Sequence, residues 1–166
     1  DEYNNLSCAA TFTPLTPFFV NVEQTITINL SSVGKNYPFK YPYCYGKNEV
    51  RNNEIDNLYL ASVPVTVMIS GPISAPLVEL LDENGTIYNT VSFPDVTLIT
   101  GQYIIVNSAT RKIWYFNGMT LEDYSAKTDP SYDTFLFAKN GISTIKVNID
   151  SANQGSLTGS WRQYGL

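Results

Sequence analysis

Apolar and polar residues alternate in short bursts along this chain, and turn signals separate the bursts. From Val65 onward come VTVMIS, PLVELL, TIYNTVSF, DVTLI, QYIIVN, KIWYF, TFLFA, STIKVNI and SLTGSWRQY. Between them stand ENG at 83–85, TGQ at 100–102, SATR at 108–111, and Asn-Gly at 117–118 and 140–141. Asn-Gly accepts positive φ at both central positions of a tight turn, so it marks hairpins. A strand every ~8–12 residues with such turns predicts an all-β fold, an antiparallel sandwich or barrel.

The first third is less regular. LSCAATF (6–12) reads as an entry strand, which Pro14 and Pro17 interrupt. QTITINL (24–30) sets Ile26, Ile28 and Leu30 on one face and Thr25, Thr27 and Asn29 on the other, a half-buried strand. GKNYPFKYPYCYGKN (34–48) holds four Tyr, one Phe, two Pro and two Gly. Proline removes ladder donors, so this stretch predicts a loop or an edge segment. Its rings either pack onto the sandwich or form a contact surface for a protein or a sugar. VRNNEIDNLYL (50–60) predicts a turn around 52–57 leading into a strand at LYL. Gly71-Pro72 and Pro76 predict a crossing between sheets. NGMTLEDYSAKTDPSY (117–132) is the longest break, with MTLEDYS either one helical turn or a strand plus loop. Residues 1–22 thus divide off as entry strand and linker, and 23–166 as one sandwich domain.

Composition narrows the chemistry. With 166 residues, 43% of them hydrophobic and 15% charged, the chain can bury one real core. A net charge of −5 repels phosphate backbones, and no Lys/Arg run offsets it, so nucleic acid is a poor partner. No apolar run is long enough to predict membrane insertion, and there is no signal-peptide or lipidation pattern. The chain begins with Asp1 rather than Met, as a fragment of a longer protein would. Its lack of histidine excludes Ser-His-Asp and Cys-His sites and removes the commonest zinc ligand. Cys8 and Cys44 are compatible with two free thiols or with one disulfide, and a single pair makes no disulfide scaffold.

The carboxylates form no evident catalytic pair. Glu122 and Asp123 point to opposite faces of an extended segment, Asp82 and Glu83 flank a tight turn, and Asp129-Pro130 initiates one. Asp133 lies close behind. A glycosidase needs two carboxyls facing each other across a cleft. Asp82, Glu83 and Asn84 could hold a calcium ion only weakly, because the calcium-loop spacing with its final Glu is missing. Phosphate-binding, dinucleotide-binding, serine-hydrolase and zinc-protease motifs are missing too. These readings predict no catalytic residue, no cofactor and no metal. Asn29-Leu30-Ser31 and Asn84-Gly85-Thr86 match the glycosylation sequon, which matters only in eukaryotic secretion. Trp114, in KIWYF, shares a face with Phe116, while Trp161 neighbours Arg162. Each reads first as packing or a cation–π pair and second as a sugar-stacking platform. A galectin-type sugar site needs a histidine and cannot exist here.

The order of these signals resembles the C-terminal half of siphophage distal tail proteins. In that family an N-x-G-x-x-x-x-P-x-I-x-I-x-G segment precedes an N-P-x-I strand; here NLYLASVPVTVMISGP (57–72) precedes SAPLVEL (74–80). The family hairpin L-x-x-G-x-x-L-x-I-(D/N) is matched by LITGQYIIVNS (98–108), followed by the aromatic KIWYFNG (112–118). FLFAKNGISTIKVNI (135–149) and the closing GSWRQYGL (159–166) complete the series, and ATFTPLTPFFV (10–20) is similar to the family's linker. The usual glycine near position 59 is missing, and NGIST replaces the usual GxN. The resemblance implies a galectin-like, jelly-roll-like β-sandwich at a phage tail tip, in the virion tail, made in the bacterial host cytoplasm. It implies a non-enzymatic structural role in baseplate assembly and host attachment. Other tail-tip proteins would be its partners, in a hexameric ring built by a separate belt domain.

Without that belt domain, the isolated chain is expected to be monomeric and to become hexameric only in the full-length protein. The alternative is a carbohydrate-binding module for host cell-wall polysaccharide. For either partner the contact candidates are Tyr37, Tyr41, Tyr43, Tyr45 and Trp114.

Overall fold

A computed structural model of the protein describes residues 19–30, 53–58, 60–148 and 155–165. Thirteen strands occur among these residues. The first seven are β1 (Phe19–Asn29), β2 (Glu54–Asn57), β3 (Val63–Ser70), β4 (Ile73–Ser74), β5 (Leu77–Leu81), β6 (Ile87–Ser92) and β7 (Thr97–Leu98). The remaining six are β8 (Tyr103–Asn107), β9 (Lys112–Phe116), β10 (Leu121–Asp123), β11 (Leu136–Ala138), β12 (Gly141–Asn148) and β13 (Ser156–Gly165). A 3-10 turn covers Ser125–Lys127, so the long break holds both a short strand and a single helical turn. Among the described residues no helix is long and apolar enough to cross a membrane.

Every strand pair among the described residues is antiparallel, and β5–β6, β8–β9 and β9–β10 are hairpins closed by short turns. The large sheet has the order β1-β13-β3-β8-β9-β10, with β11 paired to β3. The small sheet has the order β2-β12-β5-β6, and β4 pairs with β7 in a two-stranded clip. The chain leaves the large sheet at the end of β3, passes through β4 and enters the small sheet at β5. This is the crossing that Gly71-Pro72 and Pro76 predict.

Alternation in β3 buries Val63, Val65, Val67 and Ile69 and leaves Pro64, Thr66, Met68 and Ser70 half-exposed. Ile104 and Val106 of β8 continue that inner row, and Val78, Leu80 and Ile145 face them from the small sheet. Removing such side chains from water is the main favourable term in folding. Gly159 in β13 lies on the inner face. A Cβ there would meet Ile26 Cγ1 at 3.3 Å and Ile145 Cδ1 at 3.7 Å, so the glycine lets β1 and β12 close over β13. Trp161 joins this core.

The region before β3 differs from the sequence expectation. The strand is Glu54–Asn57, where a turn was expected, while Leu58 and Leu60 lie outside any strand and are 75% and 84% exposed. The cause is hydrogen bonding by two buried asparagines. Asn57 donates its amide to the carbonyls of Ala61, Ala138 and Lys139, and Asn53 exchanges bonds with the backbone of Ile145. With those partners, burial of polar side chains costs little, and Ile55 between them is carried into the core. Strand β1 also takes in 19–22 of the stretch read as linker. The entry strand at 6–12, the aromatic stretch 34–48, Cys8, Cys44 and Tyr59 lie outside the described residues.

Candidate functional site

The turns predicted from carboxylates are formed by those carboxylates. Asp82 Oδ1 accepts from the amides of Asn84 and Thr86 at 2.9 Å each, and Asp129 Oδ1 accepts from the amide of Ser131 at 2.8 Å. Asp133 accepts from the Asn89 side chain at 2.6 Å. Glu122 accepts from Asn117 Nδ2 and Thr120 Oγ1 in the β9–β10 hairpin, where Gly118 takes φ +101°. Asp123 Oδ1 accepts from the Ser125 amide at 2.9 Å. That bond, and to a smaller extent the Lys112 charge, hold the Asp123 carboxyl below its ordinary value. An open groove of about 470 Å³ runs between Glu54, Leu81, Glu83 and Ile142. Among the described residues no three of Asp, Glu, Cys or His converge on a point where a metal ion could sit.

The feature with more to offer is the outer face of the large sheet. Because strand residues alternate, every second position of β1, β13, β3, β8, β9 and β10 projects there. The register aligns these positions in rows. One row runs Asn29, Ser156, Ser70, Tyr103, Phe116, Leu121, and the next runs Thr27, Thr158, Met68, Ile105, Trp114, Asp123. A third runs Thr25, Ser160, Thr66, Asn107, Lys112. The face therefore has two halves. Toward β1 it is a lawn of Ser, Thr and Asn, and toward β10 it is mainly aliphatic and aromatic, with Asn107, Lys112 and Asp123 at one end.

In the aromatic half, Tyr103 and Phe116 stack with ring centroids 4.8 Å apart and planes 20° apart. Trp114 is half-exposed, and Lys112 Nζ lies 5.5 Å from its ring centroid. Leu121 is 50% exposed. Two loop tips extend the patch around the end of the sheet, with Ile99 at 61% and Met119 at 91% exposed. Gln102 ties these loops together, accepting from the Ile99 amide and donating to the Asn117 carbonyl. The inner-side ring of β9, Tyr115, instead tilts against Tyr124 at 4.7 Å. Burial together with the Tyr115 and Glu122 charges raises the Tyr124 phenol above its ordinary value.

Of the five contact candidates, Trp114 lies in this patch, while Tyr37, Tyr41, Tyr43 and Tyr45 lie outside the described residues. Trp161 is 6% exposed and belongs to the core, and Arg162 beside it points outward to Glu23 at 3.7 Å. Tyr103, Met68, Ile105 and Leu121 were not singled out from sequence. The available signal was that QYIIVN and KIWYF are apolar on both faces, one more face than a half-buried strand needs.

The fold and this face define a β-sandwich whose large sheet keeps its outer surface apolar at one edge. No protein-family model matches the chain, and no curated protein matches it. Among solved structures, the chain shares its fold with the Dit protein of phage SPP1, described as a paradigm of hub adsorption apparatus in Gram-positive-infecting phages. That match has TM-score 0.58 and 16% identity over 92% of this chain and 50% of that one. The phage P2 baseplate in its activated conformation with Ca is also similar, with TM-score 0.46 and 14% identity over 84% and 53% of the two chains. The chain thus spans about half the length of the solved proteins it matches.

Proposed function

We propose that this chain is a non-enzymatic docking domain of a phage tail tip, located in the virion tail, where it contributes to baseplate assembly and host attachment. The observation that carries the reading is the half-exposed aromatic and aliphatic surface spread across β3, β8, β9 and β10. Soluble domains cover such patches with partners. Likeness in fold to a hub protein of an adsorption apparatus supports it. Other tail-tip proteins are the partners, and the sandwich from residue 23 onward is the docking unit. The isolated chain is monomeric and joins a hexamer only within a longer protein, because like-charged copies repel and the ring contacts lie elsewhere.

Immunogold labelling of intact virions with antibody against this chain tests the location. Label at the tail tip is expected; label confined to the capsid overturns the reading. Turnover of glycans or peptides that disappears on a single carboxylate substitution would overturn the non-enzymatic part. The carbohydrate-binding alternative needs open ring faces. Tyr103 and Phe116 spend one face each on the other, and Lys112 lies over Trp114.

A further inference from the structure

Resting on the docking role, we propose that the aromatic half of the outer face binds an extended aliphatic polypeptide segment bearing a carboxylate, and that Lys112 with Arg111 selects that charge. The geometry of the rings argues for side chains rather than sugars. In the first row, Tyr103 and Phe116 stand between Ser70 and Leu121 on the neighbouring strands, stacked like books on a shelf. Such a row presents ring edges to a partner. Pyranose rings stack on open faces, whereas Leu, Ile or Val side chains pack against ring edges and neighbouring alkyl groups alike. Met68 and Ile105 beside Trp114 extend the apolar floor.

Charge sets the orientation. Arg111 and Lys112 are exposed at the β8–β9 turn, and neither forms an ion pair among the described residues. Arg162 and Lys146, by contrast, meet Glu23 and Glu79. On the next strand Asp123 pairs with Trp114, diagonal to Lys112, so a carboxylate seated over β10 meets a like charge there. The segment's acid therefore lies at the 111–112 end, with its apolar side chains over Ile105, Trp114 and the Tyr103–Phe116 pair. Successive same-face positions on a strand are about 7 Å apart. An extended segment then places the carboxylate two to four residues from its apolar anchors. A second copy of this chain is a poorer occupant, since copies of net charge −5 repel.

A displayed library of random dodecapeptides, selected on the 166-residue chain, tests this. Enriched peptides are expected to carry Leu, Ile, Val or an aromatic residue with Asp or Glu two to four positions away. Selection on the Arg111→Glu/Lys112→Glu double variant should exchange Asp/Glu for Lys/Arg at that position. Trp114→Ser should lower enrichment of the wild-type peptides at least tenfold, with circular dichroism confirming the fold. Both charge changes are at exposed sites, so that arm stands even if Trp114→Ser misfolds. No consensus, or a consensus indifferent to charge reversal, overturns the proposal. So does cell-wall polysaccharide binding, or self-association by light scattering, that is lost in Trp114→Ser. The immunogold result is independent of each of these outcomes.

Discussion

The two halves of the outer face rest on one continuous hydrogen-bonded sheet, yet they present opposite surfaces. On β1 and β13 the outward positions are Thr25, Thr27, Asn29, Ser156, Thr158 and Ser160. On β8 and β9 they are Tyr103, Ile105, Trp114 and Phe116, with Asn107 and Lys112 only at the turn end. Backbone geometry is the same in both, so the side chains alone make one half hydrophilic and the other sticky. Short hydroxyls satisfy β-propensity while leaving water as the neighbour. Aromatic and aliphatic groups satisfy it equally and leave apolar area exposed at about 25 cal/mol per Å² of unrealised burial.

The largest effect that would break the comparison comes from beneath it. Ile104 is fully buried, whereas its neighbour Ile105 is half-exposed on the outer face. Ile104→Ala should lose ~2–5 kcal/mol in urea unfolding, through lost transfer and a cavity. Ile105→Ala should lose about 1 kcal/mol, in proportion to its partial burial. Equal losses would mean that the outer face is covered within the chain itself.

A sharper measure of the aromatic half is the coupling between its stacked rings. A double-mutant cycle on Tyr103→Ala and Phe116→Ala should give ~0.5–1.5 kcal/mol of favourable interaction. Zero coupling would remove the stack and with it the argument that each ring has one face already taken. In the hydrophilic half, Glu23 and Arg162 are 3.7 Å apart with side chains 49% and 59% exposed. Breaking that pair with Glu23→Gln should change stability by no more than ~0.5 kcal/mol, since exposed pairs are screened by water and salt.

The smallest expected effect is at Asp123, on the rim of the aromatic half. Its carboxyl is held below the ordinary value of 3.8, first by the Ser125 amide. The folded state therefore favours the ionised form. That contribution is fully present above the ordinary value and fades as pH falls through the folded-state pKa. An NMR titration should find its midpoint below that of a free aspartate. The stability difference between the wild type and Asp123→Asn should shrink as the medium is acidified, and a difference that grows in acid would contradict the assignment.

Much of the fold was legible in the chain because strand chemistry is local. The Asn-Gly turns, the alternation in QTITINL and VTVMIS, and Pro72 and Pro76 at the crossing each act within a few residues. The stretch 50–60 misled because its buried asparagines are satisfied from far along the chain, by Ala138, Lys139 and Ile145. Distant carbonyls leave no trace near an Asn in sequence. Trp114 was visible as a candidate stacking platform because it is a tryptophan in a strand, but its companions Tyr103, Met68 and Leu121 come from three other strands.

From β3 onward the sequence by itself determined most strands, their turns and which residues within a strand share a face, because pleat and turn conformation depend on neighbours in the chain. It also determined that no histidine chemistry operates here. Only the tertiary structure decided that β3, β8, β9 and β10 stand side by side, so that scattered apolar residues merge into one surface. Strand order is settled by which inner faces close over a common core, and that is a property of the whole packed chain rather than of any segment.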